Sequence, residues 1–93
     1  METVRRIINN KRRQFLFCYQ QELQKNPSLA GKVKVKFKIT ARGKVTYAKI
    51  SEDTIKNARV TSCIRKKMLG LVFPKAKRGG STTVNYPFVF RGG

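Results

Sequence analysis

Residues 31–50 read GKVKVKFKITARGKVTYAKI, and their pattern decides the architecture. Lysine occupies every second position from Lys32 to Lys38, with Val33, Val35, Phe37 and Ile39 in the alternate places. Side chains of an extended chain point to opposite faces in turn, so this stretch is a half-buried strand with one apolar and one cationic face. ARGK at 41–44 supplies a turn, and VTYAKI at 45–50 returns as the second arm of a hairpin. The alternation slips between Tyr47 and Ile50, which predicts a bulge or the end of that strand. The two strands span about residues 32–40 and 44–50.

Upstream, Val4, Ile8, Phe15, Tyr19 and Leu23 recur at helical spacing, with Ile7 and Cys18 alongside. One helix over about residues 3–25 is predicted, with Thr3 as its cap and a weak point near Asn9 and Asn10. NPS at 26–28 ends it, because the residue before Pro27 is pushed out of the helical region. Downstream, SEDTIKN at 51–57 reads as a loop, and Asn57 caps a second helix over about residues 57–71. Its inner face carries Val60, Cys63, Ile64, Lys67 or Met68, and Leu71. KAKRGGS at 75–81 is a basic loop. A last strand over about residues 82–91 has Val84, Tyr86, Phe88 and Phe90 on one side. Pro87 cannot donate to a ladder, which makes this an edge strand. The prediction for residues 1–93 is a single α+β domain of order helix-strand-strand-helix-strand. Its three-stranded antiparallel sheet has both helices packed on one face.

The chain of 93 residues carries 22 Lys and Arg against 4 Asp and Glu, a formal charge of +18. Such a field favours a polyanionic partner: nucleic acid, anionic head groups or an acidic protein face. With 40% hydrophobic residues the composition supports a packed core. No apolar run approaches the roughly 18 residues that a membrane helix needs. The N-terminal METVRRIINNKRRQ lacks the apolar segment of a signal peptide.

Catalysis is disfavoured by subtraction. There is no histidine, and the acids are Glu2, Glu22, Glu52 and Asp53. The adjacent pair falls in the stretch before the second helix, where the helix dipole explains it better than acid–base chemistry does. An enzyme is therefore not expected. The glycines lack phosphate-cradling spacing, and two cysteines without histidine cannot complete a zinc site, so neither cofactor nor metal is expected.

Cys18 and Cys63 both fall on inward helical faces, which leaves two readings. A disulfide would contribute roughly 4 kcal/mol by closing the long loop between them, and would imply an oxidising compartment. Alternatively they are two buried free thiols packed as small hydrophobes. The comb of Lys32, Lys34, Lys36 and Lys38 also reads two ways, as the solvated face of a sheet or as a phosphate-tracking surface. Modules that read single-stranded RNA stack bases on exposed aromatics, whereas Phe37 lies opposite the lysines, so no stacking platform is expected. Nucleic acid stays as the alternative partner, held by non-specific electrostatics, with KAKRGG and the RGG at 91–93 in its favour.

CYQQEL on the first helix, the stretch at 26–50, NARVTSCI on the second helix, FP, the GG loop and VNYPFVF together resemble the TonB/TolA C-terminal-domain fold. They are most similar to the AgmX/PglI C-terminal branch, at the ends of envelope-spanning gliding-motility proteins. The likeness runs from about Ile7 to Phe90. It implies a periplasmic domain, the C-terminal part of an inner-membrane-anchored protein. Such a domain couples energised inner-membrane motor components to an outer-membrane partner. It also implies that Cys18 pairs with Cys63 and that the third strand is the docking edge.

An edge strand can accept an extended peptide from an outer-membrane or periplasmic protein by β-augmentation. Thr83, Val84, Asn85, Tyr86, Phe88, Val89 and Phe90 would form that edge, with Asn85 and Val89 turned outward. The lysine comb would steer the domain toward acidic partners or an anionic envelope polymer.

Overall fold

The alternating stretch becomes the centre of the sheet. A computed structural model describes residues 2–75 and 79–91. Its elements are α1 (Glu2–Asn10), α2 (Arg12–Leu23), β1 (Gly31–Ile39), β2 (Val45–Asp53), α3 (Ala58–Leu69) and β3 (Thr82–Phe90). The strands are all antiparallel in the order β2-β1-β3, so β3 is an edge. The fold is α+β, with the helices packed on the sheet. Val33, Val35 and Phe37 are wholly buried on the helix side, and Lys36 and Lys38 are exposed on the other.

The helical stretch expected at residues 3–25 is two helices, divided beside the weak point at Asn9 and Asn10. The break is at Lys11, whose backbone leaves helical geometry at φ −104 and ψ 13. The Lys11 N–H donates to Ile8 O at 3.0 Å, a tightened final turn of α1. Between buried Ile8 and buried Phe15 lies the polar run NNKRRQ, so no apolar anchor holds the helix through its middle. Asparagine side chains also compete for the backbone there. Thr3 is inside α1 and not its cap. Asn57 does cap α3, its Oδ1 accepting from Arg59 N–H at 3.0 Å and Val60 N–H at 3.1 Å, worth about 1 kcal/mol.

α2 lies against β3 through aromatic pairs: Phe15 with Phe88 at 4.7 Å and Tyr19 with Phe90 at 4.9 Å between ring centroids. Such pairs add about 1 kcal/mol each beyond the area they bury. The Tyr19 hydroxyl donates to the Leu29 carbonyl, pinning the segment that leads into β1. Cys18 and Cys63 join α2 to α3, with their sulfurs at bonding distance and their Cα atoms 5.6 Å apart. Of the candidates for the inner face of α3, Met68 is fully buried and Lys67 is exposed.

β2 runs to Asp53, longer than the expected end at Ile50, and takes in the first residues of the predicted loop. Its pairing with β1 shifts register twice. Thr46 is the extra residue between the Ile39↔Val45 and Lys38↔Tyr47 pairs. Ser51 is the extra residue between Val35↔Ile50 and Lys34↔Glu52. Each bulge reverses the inside-outside sense of the residues beyond it. The hairpin turn closes with Gly43 at φ +88, where only glycine fits: a Cβ would stand 1.8 Å from the Phe73 carbonyl oxygen.

Candidate functional site

The expected docking residues lie together on β3. Val84, Phe88 and Phe90 are buried, Tyr86 is half-buried, and Thr83, Asn85 and Val89 are exposed. Their backbone direction is fixed by two hydrogen bonds at the far side of β1. Lys32 O accepts Thr54 N–H at 2.9 Å, and Lys32 N–H donates to Thr54 Oγ1 at 2.7 Å. Even-numbered residues of β1 therefore turn their peptide groups toward β2, and odd-numbered residues turn theirs toward β3.

Residues opposite these odd positions on β3 are Thr82, Val84, Tyr86, Phe88 and Phe90, and they complete the ladder. Thr83, Asn85, Pro87 and Val89 consequently direct their peptide groups to the open side. Pro87 sits where its missing N–H breaks no ladder bond. This edge, without a bonding partner among the described residues, thus offers carbonyls at all four residues and N–H groups at Thr83, Asn85 and Val89. β3 pairs with β1 over nine consecutive positions with no register shift, which keeps this edge regular.

The other edge is different. β2 is bulged twice, and the Arg65 Nε–H of α3 donates to Ala48 O at 2.9 Å. Ala48 stands opposite Phe37, whose peptide faces β3, so the Ala48 carbonyl points to the outer side of β2. Arg65 therefore occupies an acceptor that an incoming strand would need. Nothing in the sequence pattern marked Arg65 for this role; it required the position of α3 beneath β2.

On the solvent face, cross-strand rows run Tyr47–Lys38–Thr83, Lys49–Lys36–Asn85 and Glu52–Lys34–Pro87, with Lys32 opposite Val89. Glu52 divides the comb. Its Oε2 lies 3.2 Å from Lys32 Nζ and 3.9 Å from Lys34 Nζ. Lys36 and Lys38 have no carboxylate within 4.0 Å among the described residues. Tyr47 corrects the sequence reading of this face. The Thr46 bulge turns it outward beside Lys38, 44% exposed, so the lysine face does carry one aromatic ring.

The adjacent acids have structural positions. Glu52 pairs with Lys32 and Lys34, and Asp53 Oδ1 accepts the N–H groups of Ile55 and Lys56, both at 3.0 Å. They end β2 and shape the turn after it, and so do not serve the dipole of α3 as the sequence suggested. Among the described residues no group of three His, Cys, Asp or Glu could hold a metal ion, and no helix is long and apolar enough to cross a membrane. KAKRGG and RGG fall partly outside the described residues. No protein-family model, curated protein or solved structure matches the chain.

Proposed function

We propose that the chain is a non-enzymatic protein-binding module that captures an extended peptide by adding it to β3. The observation that carries this reading is the contrast between the two sheet edges: a β3 regular over nine positions, with the peptide groups of Thr83, Asn85, Pro87 and Val89 turned outward, against a bulged β2 capped by Arg65. Main-chain bonding gives affinity with little dependence on partner sequence, which suits a mechanical coupler.

The sequence likeness to TonB/TolA C-terminal domains, and to the AgmX/PglI branch, supports a setting for this activity. In that setting the domain is periplasmic and belongs to an inner-membrane-anchored protein. It couples energy or motor components there to an outer-membrane or periplasmic partner, in gliding motility. A Cys18–Cys63 disulfide accords with an oxidising compartment. The lysine face adds electrostatic steering toward acidic partners or an anionic envelope polymer.

A photo-reactive residue placed at Asn85, and separately at Thr46 on β2, tests the edge assignment in intact cells. The expected product is a polypeptide adduct from Asn85 and little from Thr46. Equal labelling at both sites would refute it. One observation favours the alternative of nucleic-acid binding: Tyr47 stands on the lysine face as a stacking surface. That reading expects adducts containing nucleic acid, and loss of single-stranded oligonucleotide binding in Tyr47→Ala.

A further inference from the structure

The free cations of the solvent face are not distributed evenly with respect to the open edge. Lys32 and Lys34 are held toward β2 by Glu52. Lys36 faces Lys49 on β2, a like charge directly opposite, and Lys38 faces the ring of Tyr47. Like charges in opposed cross-strand positions repel, so Lys36 gains nothing from leaning toward β2. Toward β3 the same two lysines meet, among the described residues, the short side chains of Asn85 and Thr83. Asn85 is drawn back over β1, its Oδ1 accepting the Ser51 hydroxyl at 2.9 Å. The way from Lys36 and Lys38 to the β3 edge is therefore open on this face.

A strand added beside β3 would lie two strand spacings from β1, about 10 Å. A lysine from one row and a glutamate from the other close that gap between them. Aspartate, shorter by a methylene, closes it less well. Side chains of the added strand alternate, so the residues between the outward ones point to the helix side. There Val4 and Arg5 of α1 line a hollow of about 190 Å³ with Asn85, Tyr86 and Pro87, with room for a side chain.

We propose that the peptide taken by β3 is acidic in a specific register. Glutamates occupy the alternate positions opposite Thr83 and Asn85, where they meet Lys38 and Lys36, and apolar residues lie between them. This rests on the edge-capture reading and names the chemistry of its partner. The one-sided pairing of Glu52 is what sets the register: the acidic positions lie at the Thr83 end of the edge and not at the Val89 end.

The test uses two blocked peptides, Ser-Thr-Val-Glu-Val-Glu-Val-Thr-Ser and its counterpart with glutamine for both glutamates. Each is titrated into the nitrogen-15-labelled protein. The expected result is tighter binding of the glutamate peptide by roughly two- to thirtyfold, the range for two exposed ion pairs. That advantage should shrink with added salt and vanish in Lys36→Gln/Lys38→Gln. It should persist in Arg12→Gln/Arg13→Gln, which removes the same charge from α2. The amides of Thr83, Asn85 and Val89 should gain exchange protection with both peptides. Equal affinity for the two peptides, with that protection present, overturns the acidic register and leaves edge capture standing. Binding of the glutamate peptide without protection at those three amides overturns edge capture, and the register with it. Absence of binding by either peptide at millimolar concentration overturns both.

Discussion

Replacing the cross-linked cysteines by alanine, in Cys18→Ala/Cys63→Ala, isolates how much of the stability resides in a constraint and not in packing. The two residues are separated by 45 positions, and the chain-entropy relation assigns a loop of that size about 4 kcal/mol. A domain of 93 residues has about 5–14 kcal/mol in total, so the bond supplies a large share of it, more than about a quarter. For a chain of this size the melting temperature should fall by roughly 15–30 °C. The variant should still fold at 25 °C, because the apolar side of the sheet stays covered by α2 and α3.

Urea unfolding followed by far-ultraviolet circular dichroism measures the loss directly. Wild-type protein unfolded with reductant should match the double variant to within about 1 kcal/mol. The oxidised protein should also show the smaller urea dependence, because its cross-linked unfolded state exposes less surface. Oxidised and reduced curves that superimpose, or a loss below about 1 kcal/mol, would refute the entropic account. Intact-mass analysis of alkylated, unreduced protein completes the test by showing whether cells form the bond.

Two further substitutions probe single contacts. Tyr19→Phe removes the hydroxyl that donates to Leu29 O, the one side-chain donor to it among the described residues, and should cost about 1–3 kcal/mol in urea unfolding, with α2 otherwise intact. Gly43→Ala combines a left-handed backbone with a Cβ pushed into the Phe73 carbonyl and should cost about 3 kcal/mol; Gly79→Ala, at φ +71 with no described residue within 4 Å of the added carbon, should cost clearly less in the same assay.

Most of the elements were legible because their signals are local. Alternation at 32–39 specified β1, Pro27 ended the first helical region, and Asn57 marked the start of α3, each through preferences that act within a few residues. Pro87 pointed correctly to an edge strand, since a missing N–H is tolerable only on an open side. The division at Lys11 was visible as a weak point at Asn9 and Asn10, but not as a complete break. It depends on where Ile8 and Phe15 find their places in the core, although the polar run between them was already suggestive.

The strand proposed to dock a partner was readable as residues, but its contrast with the opposite edge was not. Arg65 and Ala48 are distant in sequence, and their hydrogen bond exists only once α3 packs beneath β2. The same holds for the solvent face. The lysine comb is a period-two pattern, whereas Glu52 joins only two of its members because β2 is shifted at Ser51. Tyr47 faces the lysines through a bulge at Thr46 that simple alternation does not contain.

By itself the sequence determined the succession of helices and strands, the amphipathic character of β1 and the excess of positive charge, all consequences of residue type and short-range spacing. Tertiary structure decided which edge stays open, which lysines keep their charge unpaired and which ring stands among them. Those properties belong to pairs of residues far apart in the chain, and register, which a single inserted residue reverses, is settled only when the strands meet.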